Sequence, residues 1–327
     1  LHRLPPGWRP TQALWLPDQE ARYVRITGAR RALEVQAPSP TDWTDRNAPL
    51  KALAAAAPRS HHPRALHGEQ NYWTVVGVDG GGAHSALLSE DGAIEPHRAG
   101  PSIEPLVIDA QGRARGWAEV QAEGRSTTRL REGHLPLPQV QWQHPAFGLQ
   151  IDAGAEGTRG QAQLIARYTL HNPSAQAQRL TLALLLRPWQ VNPPQQFLNT
   201  PGGLAEVRRL QWQGGVLQVN GRPWLRALDA PAQVRAASFD AGDVLDGAAP
   251  RLTRLDDPQG LASARLDWPM DLAPGESRTI TLALPLAGQP APPQDSADAA
   301  ARLDTVAAAW RTRLNRVQFT LPPEALL

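Results

Sequence analysis

Glu69, Glu90, Asp91, Glu95 and Glu104 are carboxylates set close together in one stretch of the chain. Cleavage of a glycosidic bond needs two such acids facing each other across a bound sugar. All five qualify by type, but linear spacing does not show that any two converge. Glu90-Asp91-Gly92 has the composition of a tight turn. Glu69, just ahead of a strand that holds Trp73, is the acid best placed for a role. His61, His62 and His67 lie beside it, and imidazole with carboxylate is a common zinc set. Their spacing is not HExxH, and adjacent side chains on extended chain point opposite ways. Exposed or interface histidines are the expectation, with no metal and no cofactor. No G-x-S-x-G nucleophile elbow occurs. Gly80-Gly81-Gly82 lacks the strand-to-helix setting of a phosphate loop and reads as a flexible turn.

The densest run of ligand-type side chains follows the most apolar segment. Leu180, Leu182, Leu184 and Leu186 share one face at period two, and Thr181, Ala183 and Leu185 make the other face nearly as apolar. Both faces of such a strand should be covered. It stops at Arg187-Pro188, because proline cannot donate to a ladder. The loop beyond carries Trp189, Gln190, Asn192, Gln196 and Asn199, and Pro193-Pro194 stiffens it. Sugars offer C–H faces to indole and hydroxyls to Asn, Gln and Arg. Arg187, Trp189, Gln190, Asn192, Gln196 and Asn199, with Glu69 and Trp73, therefore form a candidate carbohydrate-binding set. Two readings compete with it. Loop amides commonly bond their own backbone, and most of the 11 tryptophans of a large β protein are core.

The elements that must position these residues are strands. From Gln70 to about Pro285 short apolar alternations recur between Gly- and Pro-rich turns, without long helical crossovers. Trp73–Asp79, His84–Ser89, Ile103–Asp109 and Gly116–Gln121 read as strands. Gln139–His144 and Phe147–Asp152 read as a hairpin. Leu164–His171 is expected to pair antiparallel with the Leu180 strand through Asn172-Pro173-Ser174. Asn220-Gly221 is a strong hairpin turn. Arg265–Trp268 and Arg278–Leu284, joined by Pro274-Gly275, close the region. The fold class is all-β: a large antiparallel two-sheet sandwich, with more strands than an immunoglobulin domain.

Outside the sandwich, Arg22–Ile26 and Ala32–Val35 are short strand candidates. Asn47–Ala57 is a short helix with Pro49 in its first turn. Gly288–Gln294 is a proline-rich linker. From about Asp298 to Arg316 a helix carries Leu303, Val306, Ala307, Trp310 and Leu314 on one stripe. Trp310 and Leu314 are expected to pack against the sandwich or a neighbouring domain. The divisions are 1–45, 46–69, 70–287 and 288–327.

Composition bounds the classes. The 327 residues carry a net charge of +2, and the 33 basic residues are almost all arginine. No dense basic run marks a nucleic-acid partner. Cysteine is absent, so no disulfide framework exists. No apolar run reaches the roughly 20 residues of a membrane helix. Position 1 is Leu rather than Met, and the chain is expected to be a piece of a longer protein.

Several motifs carry a resemblance: Pro58-Arg59 with Pro63-Arg64, Gly68-Glu69-Gln70-Asn71-Tyr72-Trp73, Glu90-Asp91-Gly92, Ser102-Ile103-Glu104-Pro105, and Arg187-Pro188-Trp189-Gln190-Val191-Asn192. With the linker helix and the exit segment Asn315–Leu327, they resemble the N-terminal β-supersandwich of carbohydrate-active enzymes that continue into an (α/α)6 barrel. That sandwich has a galactose-mutarotase-like fold and occurs in glucoamylase-like hydrolases and disaccharide phosphorylases. Bacterial proteins that add a discoidin-type domain are the nearer likeness, since residues 1–45 resemble the end of such a jelly roll. The resemblance implies an accessory domain that packs on the barrel and helps shape its carbohydrate site. The family's catalytic acids lie on the barrel, so none is carried over here. The discoidin-like beginning implies an exported protein. A free-standing sandwich enzyme, either sugar epimerase or polysaccharide lyase, and a carbohydrate-binding module are the rival readings.

Overall fold

The structure is a computed structural model that describes residues 23–28, 31–36, 48–192, 204–238, 241, 244–246 and 249–316. Gln196 and Asn199 lie outside the described residues, as do most of 1–45 and the exit segment beyond Arg316.

A hairpin comes first, β1 (Tyr23–Gly28) with β2 (Arg31–Gln36). Helix α1 (Ala48–Ala55) and two 3-10 turns, Arg59–His61 and Arg64–His67, lead into the sandwich. Next come β3 (Trp73–Val76), β4 (Ala86–Ser89), β5 (Ile94–Glu95), β6 (Ser102–Asp109), β7 (Ala114–Arg115) and helix α2 (Trp117–Glu123). Then follow β8 (Arg125–Arg131), β9 (Leu135–His144), β10 (Phe147–Thr158), β11 (Gln161–His171) and β12 (Gln178–Arg187). Beyond them lie β13 (Arg209–Gln213), β14 (Val216–Val219), β15 (Arg222–Ala227), β16 (Gln233–Ala237) and β17 (Arg254–Asp256). Strands β18 (Ser263–Leu272) and β19 (Ser277–Ala287) and helix α3 (Ser296–Leu314) finish the described chain.

The strands form two antiparallel sheets. One runs β17-β13-β14-β15-β19-β11-β10-β9-β8, and the other β16-β18-β12-β6-β5-β4-β3 with β7 on β6. Their inner faces meet in one apolar core, in which Val107, Trp142, Phe147, Ile151, Tyr168, Leu182 and Leu266 are buried. The fold is the all-β two-sheet sandwich expected from the alternations. Strand β12 sits between β6 and β18, as befits the most apolar segment. Leu180, Leu182, Leu184 and Leu186 enter the core, while Ala183 and Leu185 meet Val244 and Ala249 on the other side. Both faces are covered.

Three local expectations change. Gly116–Gln121 is not a strand: Trp117–Glu123 is helix α2, in which Glu119 Oε2 accepts from Gly116 N at 2.8 Å. Trp117 and Val120, three residues apart, bury the same helix face. Strand β11 does not pair with β12; its partners are β10 and β19, and β12 lies in the opposite sheet. The intervening loop is a crossover. Buried Asn172 fixes it, with Nδ2 donating to the carbonyls of Gln176, Leu272 and Ala273. The Pro274-Gly275 turn is likewise a crossover from β18 to β19, and Gly275 N donates to Asn172 O at 2.9 Å. The Gln139–Asp152 hairpin and the Asn220-Gly221 turn form as read.

Helix α3 is capped by Asp295, whose side chain accepts from Ala297 N and Asp298 N. Ala299, Leu303 and Ala307 pack on Leu135, Leu137 and Ile165, outside the nine-stranded sheet. Gly154 lets the helix approach: a Cβ there would stand 2.6 Å from Leu303 Cδ2. Trp310 is half-buried beside this cluster, and Leu314 is 42% exposed.

Candidate functional site

The loop after β12 is held by side chains from four separate segments. Arg187, 2% exposed, ends the strand. Its Nε donates to Glu104 Oε1 at 3.1 Å and its Nη2 to Glu104 Oε2 at 2.5 Å. Its Nη1 reaches back to His61 O at 2.6 Å. A fork-to-fork pair of this kind fixes geometry as well as charge. Past Pro188, the loop backbone is gripped by Glu95, whose Oε2 accepts from Val191 N at 2.7 Å and Asn192 N at 3.2 Å. The other oxygen accepts from Ala99 N at 2.8 Å. Asn71 Nδ2 donates to Val191 O, and Gln190 Nε2 to Ala99 O, both at 3.0 Å. Burial pushes the Glu95 carboxyl above its ordinary pKa, against the pull of these backbone donors.

Beside this clamp sits a second ion cluster. Arg64 forks onto Asp91, with Nε–Oδ2 at 3.0 Å and Nη2–Oδ1 at 2.5 Å, and donates to Glu69 Oε2 at 3.3 Å. Arg59 also bonds Glu69. Both guanidiniums lie on the Trp117 ring, with Cζ 5.0 Å (Arg59) and 4.7 Å (Arg64) from its centroid. Trp117 Nε1 donates to His62 O at 3.1 Å. Burial raises the Asp91 pKa, opposed by Arg64. Gly116 is required where α2 starts, since a Cβ would lie 2.8 Å from Leu106 Cδ2 and 2.9 Å from Ser60 Cβ.

The sequence candidates therefore converge in part. Glu69, His61, His62, His67, Arg187, Trp189, Gln190 and Asn192 gather around the clamp and its ion cluster. Trp189 is 2% exposed, packed on Ala54, Leu66 and the His62 ring at 5.5 Å. Its indole faces the protein interior, not solvent. Gln190 is buried as well, and Asn192 is the exposed member. Trp73 is half-buried at the start of edge strand β3, where it pairs with Ser89. His62 is buried against Trp189, and His67 Nε2 lies 3.0 Å from Arg59 O. Among the described residues no three His, Asp or Glu side chains group as a metal set. Between the two ion clusters lies a cavity of about 30 Å³, lined by Ser60, Arg64, Asp91, Glu104, Trp117 and Arg187. That is space for about one water. Trp117 and Glu119 were missed as members of the site. A glutamate three residues after Gly116 was the available signal for the helix that carries them.

No family model and no curated protein matches the chain. Among solved structures it is similar to a bacterial glucoamylase complexed with acarbose, at TM-score 0.41 and 10% identity, over 73% of this chain and 35% of that one. It is also similar to a polysaccharide lyase, at TM-score 0.30 and 13% identity, over 60% of this chain and 26% of that one. A protein described as a kojibiose phosphorylase from the human microbiome aligns at TM-score 0.28 and 11% identity, over 66% of this chain and 25% of that one. The chain spans about a third or less of the length of each.

Proposed function

We propose that this sandwich is a non-catalytic domain of a larger carbohydrate-processing protein, in which it holds the segment Arg187–Asn192 at the sugar site of a helical (α/α)6 partner domain. One observation carries the reading. The acids that could have served catalysis are each taken by an arginine or by backbone N–H groups, around a cavity of about 30 Å³. Two acids across a sugar need several ångströms of open space between them. What the cluster does instead is anchor the loop, from Arg187 to the exposed Asn192.

The chain alone should turn over no glycan in a broad screen of polysaccharides and oligosaccharides. In the longer protein that this reading requires, Asn192→Ala should raise KM for the glycan and leave the melting temperature unchanged. Cleavage or epimerisation of any glycan by the chain alone would overturn the proposal. It would favour a free-standing sandwich enzyme.

A further inference from the structure

The outer face of the nine-stranded sheet is divided. On one part, α3 covers Leu135, Leu137 and Ile165. Beyond the helix, the same face turns polar in strict register. Arg129, Gln139, Asp152, Arg167 and Thr281 form one row across five strands, from β8 to β19. Thr127, Gln141, Gln150, Thr169 and Thr279 form the next. At the border between helix and polar face lies a pocket of about 310 Å³. This is near the lower bound of small-molecule sites.

Its charges are unequal in their needs. Arg131 is paired with Asp304 at 2.6 Å, and Asp304, 70% exposed, stands at the rim. Asp152 is held by two amides: Gln139 Nε2 donates to Oδ1, and Gln150 Nε2 reaches both oxygens at 3.0 and 2.9 Å. Arg167 is the cross-strand neighbour of Asp152, yet forms no ion pair with it. Its Nε is buried and has no hydrogen-bond partner among the described residues. A buried N–H left unpaired is costly, and the planar fork of this half-buried guanidinium fits a carboxylate. The apolar part of the lining is Leu137 from β9, with Ala300 and Leu303 from α3.

We propose that this pocket binds an acidic sugar of hexuronate size. The carboxylate would sit on the Arg167 fork, ring hydroxyls would meet Asp152 and the Gln150 amide, and the C–H face would lie on Leu303 and Ala300. The site is on the opposite side of β11 and β10 from the core, and it is independent of the loop clamp and of the function proposed for it.

The test is titration of the full chain with D-glucuronate, followed by two-dimensional NMR or calorimetry. D-glucose and acetate serve as the neutral and the merely anionic probes. Glucuronate should bind and the two controls should not. Arg167→Gln should weaken binding at least tenfold, because hydrogen bonds to charged groups contribute roughly 1.5 kcal/mol or more. Should that variant fold poorly, Ala300→Trp fills the pocket from the helix side and should abolish binding. Acetate binding as tightly as glucuronate would overturn the sugar assignment. Failure of glucuronate to bind would overturn the site.

Discussion

Arg187 and Glu104 meet diagonally across adjacent strands β12 and β6 as a two-point ion pair, and the third arm of the guanidinium holds the His61 carbonyl. One side chain thus ties the end of the central strand, its neighbour and the connector ahead of the sandwich. Arg187→Met removes the cation and leaves a carboxylate that is mostly buried. Breaking a buried pair from one side costs roughly 3–5 kcal/mol. Denaturant unfolding should show a loss near the lower bound, because Glu104 keeps 12% of its side chain exposed. The double variant Arg187→Met with Glu104→Gln should recover much of that loss. A double variant as unstable as the single one would deny the coupling.

Trp189 and Asn192 are three residues apart and should behave oppositely. Trp189→Ala empties a buried site against Ala54 and Leu66, and truncations of this kind cost about 3–5 kcal/mol. Asn192→Ala changes an exposed side chain and should stay within about 0.5 kcal/mol of wild type. Urea melts of both variants decide it. A harmless Trp189→Ala would show that the indole is not core.

His97 gives stability an acid limit. Burial holds its pKa below the ordinary histidine value, and the charges of His84 and Arg222 add to the effect. A depressed histidine pKa means that the unfolded chain binds the proton first. The stability from keeping His97 neutral is fully present above about 6.5 and is lost as pH falls through the lower folded-state value. Thermal melts from pH 8 to 5 should therefore show a smaller decline in His97→Gln than in wild type. Parallel curves would remove His97 from the account.

The two-sheet class and the buried status of β12 were legible because period-two alternation reports burial directly. Which strands pair was less so. Residues Leu164–His171 and the Leu180 strand are consecutive and both apolar, but consecutive strands of a sandwich can cross between sheets. Asn172, which makes the crossover through three carbonyls, reads in sequence as an ordinary turn residue. The polar side chains of the loop are visible in the sequence itself. Its partners were not legible, because Glu95, Glu104 and Asn71 lie far from it in sequence and meet it only through sheet topology. Arg167 gave no signal at all. An arginine alternating with Ala166 and Tyr168 reads as an outward-facing strand position, and only the covering helix makes its surroundings a pocket.

The fit of that helix rests on one hydrogen atom. At Gly154 a methyl group would meet Leu303 Cδ2 at 2.6 Å and Leu137 Cδ2 at 3.1 Å, and Leu137 is itself packed in the core beneath α3. Gly154→Ala must displace the helix or force a rotamer, at a cost of about 1–3 kcal/mol. Asp295→Ala removes the N-cap and should cost about 1 kcal/mol. The two losses differ in place. The cap variant should speed hydrogen exchange in the first turn of α3, near Ala297 and Asp298. Gly154→Ala should speed it around Leu303, in the middle of the helix. Adding Leu303→Ala to Gly154→Ala should restore slow exchange there, because the shortened side chain vacates the position that the new methyl needs. Failure of that rescue would mean that the helix is held by its ion pairs, Arg302 with Glu156 and Arg311 with Glu132, and not by the contact over Gly154.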